Sequence, residues 1–226
     1  MEFMTDLRSC IRRGDTLAAI LCIERLPDID MRHANGMTSL HFSTHYGNPY
    51  ITEVLIKRGA SINIREYSRK HTPLHMAIPP VVHTQDRLTD ALGCVRILLE
   101  AGASQTATCS FGEFPLYRAC ALQYTDLVKE MLKHDFDIDV THLRTGDTAL
   151  HKACSLGDVG IVKELCGRGF RLDATNNLGH TPLNISLANR NLETSRYLCS
   201  LNAPIIEESL EIKAVRFYKN QVAGKN

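Results

Sequence analysis

His41 and His45 stand four residues apart, the spacing at which two imidazoles on one helix face can share a metal ion. No glutamate follows the first histidine in the HExxH manner, so a metal site is not expected here. Asp135, Asp137 and Asp139 alternate along one segment, but that segment lacks the glycine and terminal glutamate of a calcium loop. Eight cysteines are present, at 10, 22, 94, 109, 120, 154, 166 and 199, and none forms a CxxC pair. Zinc-ribbon and thioredoxin-like chemistry therefore lack their usual signature. Cys109 is the position where an exposed thiolate nucleophile would be sought, with His71 as its neighbour. The bland reading of Cys109 is an ordinary loop residue. Asn184-Ile185-Ser186 matches the glycosylation triplet, yet it falls in a packed helix of a chain with no export signal. No nucleophile elbow, phosphate-cradling glycine loop or paired-carboxylate motif appears.

Bulk properties narrow the field further. The formal net charge is +1 over 226 residues, which gives no general attraction to nucleic acid or an anionic membrane surface. No apolar run approaches the ~20 residues that a membrane-spanning helix needs. Leu17–Ile23 follows Arg12-Arg13 and superficially resembles a secretory core, but Glu24 and Arg25 come next instead of a small-residue cleavage site. The run reads as a folded helix. Reduced thiols, and hence the cytosol or nucleus, are the expectation.

The elements that hold these residues emerge from self-comparison. Thr38-Ser39-Leu40-His41, Thr72-Pro73-Leu74-His75, Phe114-Pro115-Leu116-Tyr117, Thr148-Ala149-Leu150-His151 and Thr181-Pro182-Leu183-Asn184 are variants of one tetrapeptide. Their first residues are 34, 42, 34 and 33 apart. Counting back 33 from Thr38 reaches Thr5, and glycines recur nine residues on at Gly14, Gly47 and Gly157. Six units result, the first degenerate. Proline suits a first helical turn. Ile51, Val54, Leu55 and Ile161, Val162, Leu165 give helical apolar spacing to a second helix.

With a period near 33 and a T-P-L-H signature, residues 5 to 203 resemble the ankyrin-repeat family. The resemblance implies an all-α solenoid of antiparallel helix pairs with short β-hairpin fingers. We expect a single domain over 1–226: a capping repeat at 1–30, five repeats over 31–203, and a capping helix and tail at 204–226. The tetrapeptide histidine is implied to tie adjacent loops together, a bracing that Tyr117 and Asn184 are expected to weaken. Cys120 and Cys154, six residues after their units' first residues, and Cys166 and Cys199, eighteen after theirs, are expected in the core.

The 42-residue interval is interrupted by Pro79-Pro80. It predicts a first helix ending at Ile78, an insertion near 79–90, and a lengthened second helix capped by Thr84 or Thr89. No cofactor is expected. The resemblance implies a non-catalytic adaptor that binds another protein or a peptide segment in a concave groove and is monomeric alone. Small-molecule substrates, nucleic acid and membranes are not expected partners. A second reading is a substrate-recognition subunit of a larger ubiquitin-ligase or signalling assembly. A third is the cysteine-dependent enzyme built on Cys109. Projecting the family's groove onto this sequence places partner contacts at Met37, His45, Tyr46, Arg69, His71, Phe111, Glu113, Leu122, Tyr124, Arg144, Leu156 and Leu178.

Overall fold

A computed structural model describes residues 2–80 and 85–206. The described residues form α1 (Glu2–Arg13), α2 (Thr16–Glu24), α3 (Ser39–Tyr46), α4 (Pro49–Lys57), α5 (Pro73–Met76) and α6 (Gln85–Glu100). These are followed by α7 (Pro115–Ala121), α8 (Thr125–Met131), α9 (Ala149–Leu156), α10 (Val159–Gly167), α11 (Pro182–Ala188) and α12 (Leu192–Ser200). The expected C-terminal helix lies outside the described residues.

Local chemistry explains why each unit makes two helices. Thr38, Thr72, Thr148 and Thr181 each sit at an N-cap in a capping box with the residue three positions on. The second helices start differently. Asp15, Asn48 and Asp158 cap α2, α4 and α10 by accepting from Ala18, Ile51 and Ile161 N–H at 3.1, 3.0 and 3.0 Å. Between the helices of two units, Gly47 and Gly157 adopt φ of 68° and 75°. A left-handed residue there reverses the chain cheaply only when it lacks a side chain.

The helices sort into two compact units, one comprising residues to Arg118 with Lys129–Phe136, the other Ala119–Val128 with residues from Asp137 on. In the first, α3 packs on α1, α4 and α5, and α6 packs on α4 and α5. Leu40, Phe42, Ile51, Leu55, Leu74 and Leu98 are buried at its centre. In the second, α9 packs on α10 and α11, and α12 on α10 and α11. Leu150, Cys154, Ile161, Leu165, Leu183 and Leu198 fill that core. Each helix pair is too small to bury its own apolar stripe, so neighbours supply the burial.

Three expectations are corrected. The described residues contain no strand. Each finger is closed by one hairpin bond instead, such as His33 N–H to Met37 O at 2.8 Å and Asn176 N–H to His180 O at 3.0 Å. Second, α5 ends at Met76, two residues before Ile78. Ile78 precedes a proline, whose ring crowds the helical conformation of the residue before it. Third, Thr89 lies inside α6 and cannot cap it, while Thr84 lies outside the described residues. With 16 residues against nine in α4, α6 absorbs much of the extra length as helix.

Candidate functional site

In the first unit the fingers and first helices enclose a cavity of about 360 Å³. Its walls share a register. Phe42 on α3, Met76 on α5 and Arg118 on α7 each stand four residues after their unit's first residue. His45 and Tyr46 close the cavity from the end of α3, and Pro80 from the interrupted unit. Met37, Ser68, Arg69 and His71 enter from the fingers, and Arg8 from α1.

The finger positions are set by a buried carboxylate. Glu66 is 4% exposed and accepts from Ser68, Arg69 and His71 N–H at 2.6, 2.5 and 3.1 Å. Burial alone would raise its pKa, but these N–H groups outweigh burial and hold the carboxyl below its ordinary value. His142 and Asn176 do the same work in two fingers of the second unit, with Nδ1 or Oδ1 accepting from the loop amides. Nothing in the tetrapeptide pattern pointed to this. The signal is a polar acceptor at the residue that opens three of the five fingers, Glu66, His142 and Asn176.

Arginine supplies the cavity's charge. The Arg8 guanidinium lies 5.2 Å from the Phe42 ring centroid, and that of Arg69 lies 5.7 Å from the Phe111 ring. Arg118 reaches Glu113 Oε2 and Ile78 O at long distances of 3.4 Å each. His71 is 4% exposed and its Nε2 has no hydrogen-bond partner. Its ring stacks on that of His75 with centroids 5.5 Å apart. Burial first, and then the charge of Arg118, push the His71 pKa down to about 4.

The tetrapeptide histidines do brace the loops. His41, His75 and His151 bond through Nε2 to the carbonyls of His71, Glu113 and His180 at 3.2, 3.2 and 2.9 Å. Each takes a threonine N–H at Nδ1 on its other side. Asn184 keeps both contacts, contrary to expectation: Oδ1 accepts from Thr181 N–H at 3.1 Å, and Nδ2 donates to Ile206 O at 3.2 Å. An amide carries acceptor and donor on one group, so it replaces both ring nitrogens.

Of the projected contacts, Met37, His45, Tyr46, Arg69 and His71 come together around the cavity. Met37 and His71 are buried, whereas Arg69 is exposed. Phe111 is 46% exposed and joins the group through Arg69. Glu113 is half-buried, its carbonyl taken by His75. In the second unit Leu122 and Tyr124 are half-buried, while Arg144, Leu156 and Leu178 are exposed. Arg8 and Arg118 were missed because the projected contacts lie on finger tips and at the ends of first helices, whereas Arg118 stands only four residues into its unit.

Candidate chemistry resolves similarly. Cys120 and Cys154 are fully buried, with burial raising both thiol pKa values, whereas Cys166 and Cys199 are only half-buried, against expectation. Cys109 is 3% exposed, not exposed as the enzyme reading required, so no accessible nucleophile stands there. None of the eight cysteines is in a disulfide. Asn184 of the glycosylation triplet is 6% exposed. Among the described residues no group of three or more His, Cys, Asp or Glu is placed to hold a metal ion. Likewise, among these residues no helix is long and apolar enough to cross a membrane.

Comparison with known proteins agrees with this architecture. A model of three ankyrin repeats matches residues 126–208, and a single ankyrin-repeat model matches residues 35–67. Together they cover just over half of the chain. Mouse (Mus musculus) Rabankyrin-5 is 31% identical over 108 residues, 47% of this chain and 9% of that protein. The NF-kappa-B inhibitor cactus of Drosophila yakuba is 37% identical over 68 residues, 30% of this chain and 14% of that protein. The chain thus spans a small part of the length of these relatives. The crystal structure of the ankyrin repeat domain of Bcl-3 superposes with a TM-score of 0.78 at 20% identity, covering 88% of this chain and 86% of that one. The repeated tetrapeptide, the paired helices and these matches have one explanation: the chain belongs to the ankyrin-repeat family.

Proposed function

We propose that this protein is a non-catalytic interaction module that binds a segment of another protein on the face formed by its finger tips and first helices. The observation that carries the reading is the first unit's cavity, with Tyr46, Arg69 and the adjoining Phe111 at its mouth. Aromatic and arginine side chains dominate binding energy because they offer large contact area at low entropic cost. The cavity is of a size that takes one or two side chains. Arg144, Leu156 and Leu178, with Leu122 and Tyr124, are the second unit's contacts in this proposal.

A relative named as an NF-kappa-B inhibitor supports a protein as the partner class. The modest net charge favours neither nucleic acid nor a membrane. Eight cysteines without a disulfide suit the cytosol or nucleus.

Affinity capture from cell extract, read by mass spectrometry, tests the proposal. The full chain is compared with Tyr46→Ala/Arg69→Ala, after equal melting temperatures establish that both are folded. Proteins retained by the wild type should fall about tenfold or more on the double variant. An unchanged set of bound proteins would overturn the assignment of this face.

A further inference from the structure

The cavity is built more selectively than a general peptide groove requires. Three guanidinium groups, from Arg8, Arg69 and Arg118, come from three different segments to one small space. The carboxylate on its wall, Glu66, is already committed to three backbone N–H groups. Arg8 and Arg69 lie over aromatic rings, and Arg118 holds Glu113 only at 3.4 Å. Beside them stands His71, 96% removed from solvent, with an unpartnered ring nitrogen. Leaving a buried polar nitrogen unsatisfied is unfavourable unless something else uses it.

We propose that this cavity receives one anionic side chain of the bound peptide, a carboxylate or a phosphorylated hydroxyl, among Arg8, Arg69 and Arg118, and that His71 takes up a proton from solvent as the anion enters. The inference rests on the binding face assigned above. Arginine is suited to the anion because its planar fork offers parallel N–H donors to two oxygens. Partial enclosure of the site strengthens such contacts.

The charges around His71 give the sign of the coupling. Arg118 on α7 and Arg69 on the finger disfavour the imidazolium, Glu66 favours it, His41 on α3 opposes it, and the His75 ring on α5 stacks against it. Arg8, His45 and Tyr46 also line the cavity. In the free protein burial and the arginine charges keep His71 neutral, with a pKa near 4. An anion neutralises those arginines and favours imidazolium, so the bound-state pKa must be higher. Binding then strengthens as pH falls through the bound-state pKa and levels off below the free-state value. His75 is the internal control. Its Nδ1 accepts from Thr72 N–H and its Nε2 donates to Glu113 O, so it has no free nitrogen to offer.

The test is carbon-13 NMR of histidine Cε1 nuclei in the full chain at about pH 6, His71 being assigned from the spectrum of His71→Asn. Probes are N-acetyl-phosphoserine amide, N-acetyl-glutamate amide and inorganic phosphate, with sodium chloride at matched ionic strength as reference. We expect the His71 resonance to move toward the imidazolium position and its pKa to rise by about one unit or more, while His75 does not move. Arg118→Met and Arg69→Met should each weaken the response about tenfold. A response to the phosphorylated probe alone assigns the anion as phosphate; a response to both capped amino acids assigns acidic side chains in general. A silent His71 with every probe, or an equal response in the arginine variants, overturns the proposal. If His71 is silent while Tyr46→Ala/Arg69→Ala still loses captured proteins, the binding face stands and the anion chemistry falls. If His71 responds while capture is unchanged, the reverse holds.

Discussion

A buried histidine that must stay neutral makes the fold sensitive to acid. Burial lowers the His41 pKa to about 4 and that of His75 to about 3, and lowers His151 as well. Protonation at Nδ1 would also remove the bond from the preceding threonine N–H. Because the folded values lie below the unfolded value of 6.5, this contribution is complete above that pH and is lost as pH falls toward 4. Urea midpoints across that range should fall, with His41 and His75 each contributing a slope of about 1.4 kcal/mol per pH unit. Asn184 shows how to remove the sensitivity, since it makes both contacts without titrating. His75→Asn should hold stability at pH 7 within about 1 kcal/mol and flatten the acid slope, whereas His75→Ala should lose about 1–3 kcal/mol. The bracing role was implied by the resemblance that the tetrapeptide carries, but its survival at Asn184 was not. Residue type alone does not say whether a shorter amide can span the same two partners. The finger-opening Glu66 was equally hidden, because its role depends on a loop geometry that no spacing reveals.

At the scale of the element, five fingers place a left-handed residue just before the residue that closes the loop. Four of them use Gly36, Gly112, Gly146 and Gly179, and the fifth uses Lys70 at φ 58°. A side chain there crowds the following carbonyl at a cost of about 1–2 kcal/mol, partly offset by the greater unfolded-chain entropy of glycine. Lys70→Gly should therefore raise stability by about 0.5–1 kcal/mol in equilibrium urea unfolding. A loss of stability would mean that the Lys70 side chain makes a compensating contact. The two-helix units themselves were readable, since threonine, proline and glycine mark starts and stops by their own backbone chemistry. The interruption was read less well. Its prolines put the end of α5 two residues too late, and of the two threonines offered as caps for a lengthened second helix Thr89 lies inside α6, which begins at Gln85.

Over the whole molecule, the surface that matters is defined by register more than by residue type. The projected contacts caught Met37, His45, Tyr46, Arg69 and His71 because finger tips and the ends of first helices line the same space. They missed Phe42, Met76 and Arg118, which repeat four residues after each unit's start on the face that the projection omitted. Exposed apolar residues elsewhere, such as Leu17 and Leu21 on α2, make a natural control surface. The central claim is that a protein partner seats on the first unit's fingers and first helices. Hydrogen–deuterium exchange of the full chain, free and with a protein retained in the capture experiment, tests it most directly. A partner seated there slows exchange at the amides of Asn35–Thr38, Ser68–Thr72 and the end of α3 and leaves α2 unchanged. Protection confined to α2 and α4, with those finger amides unaffected, would contradict it.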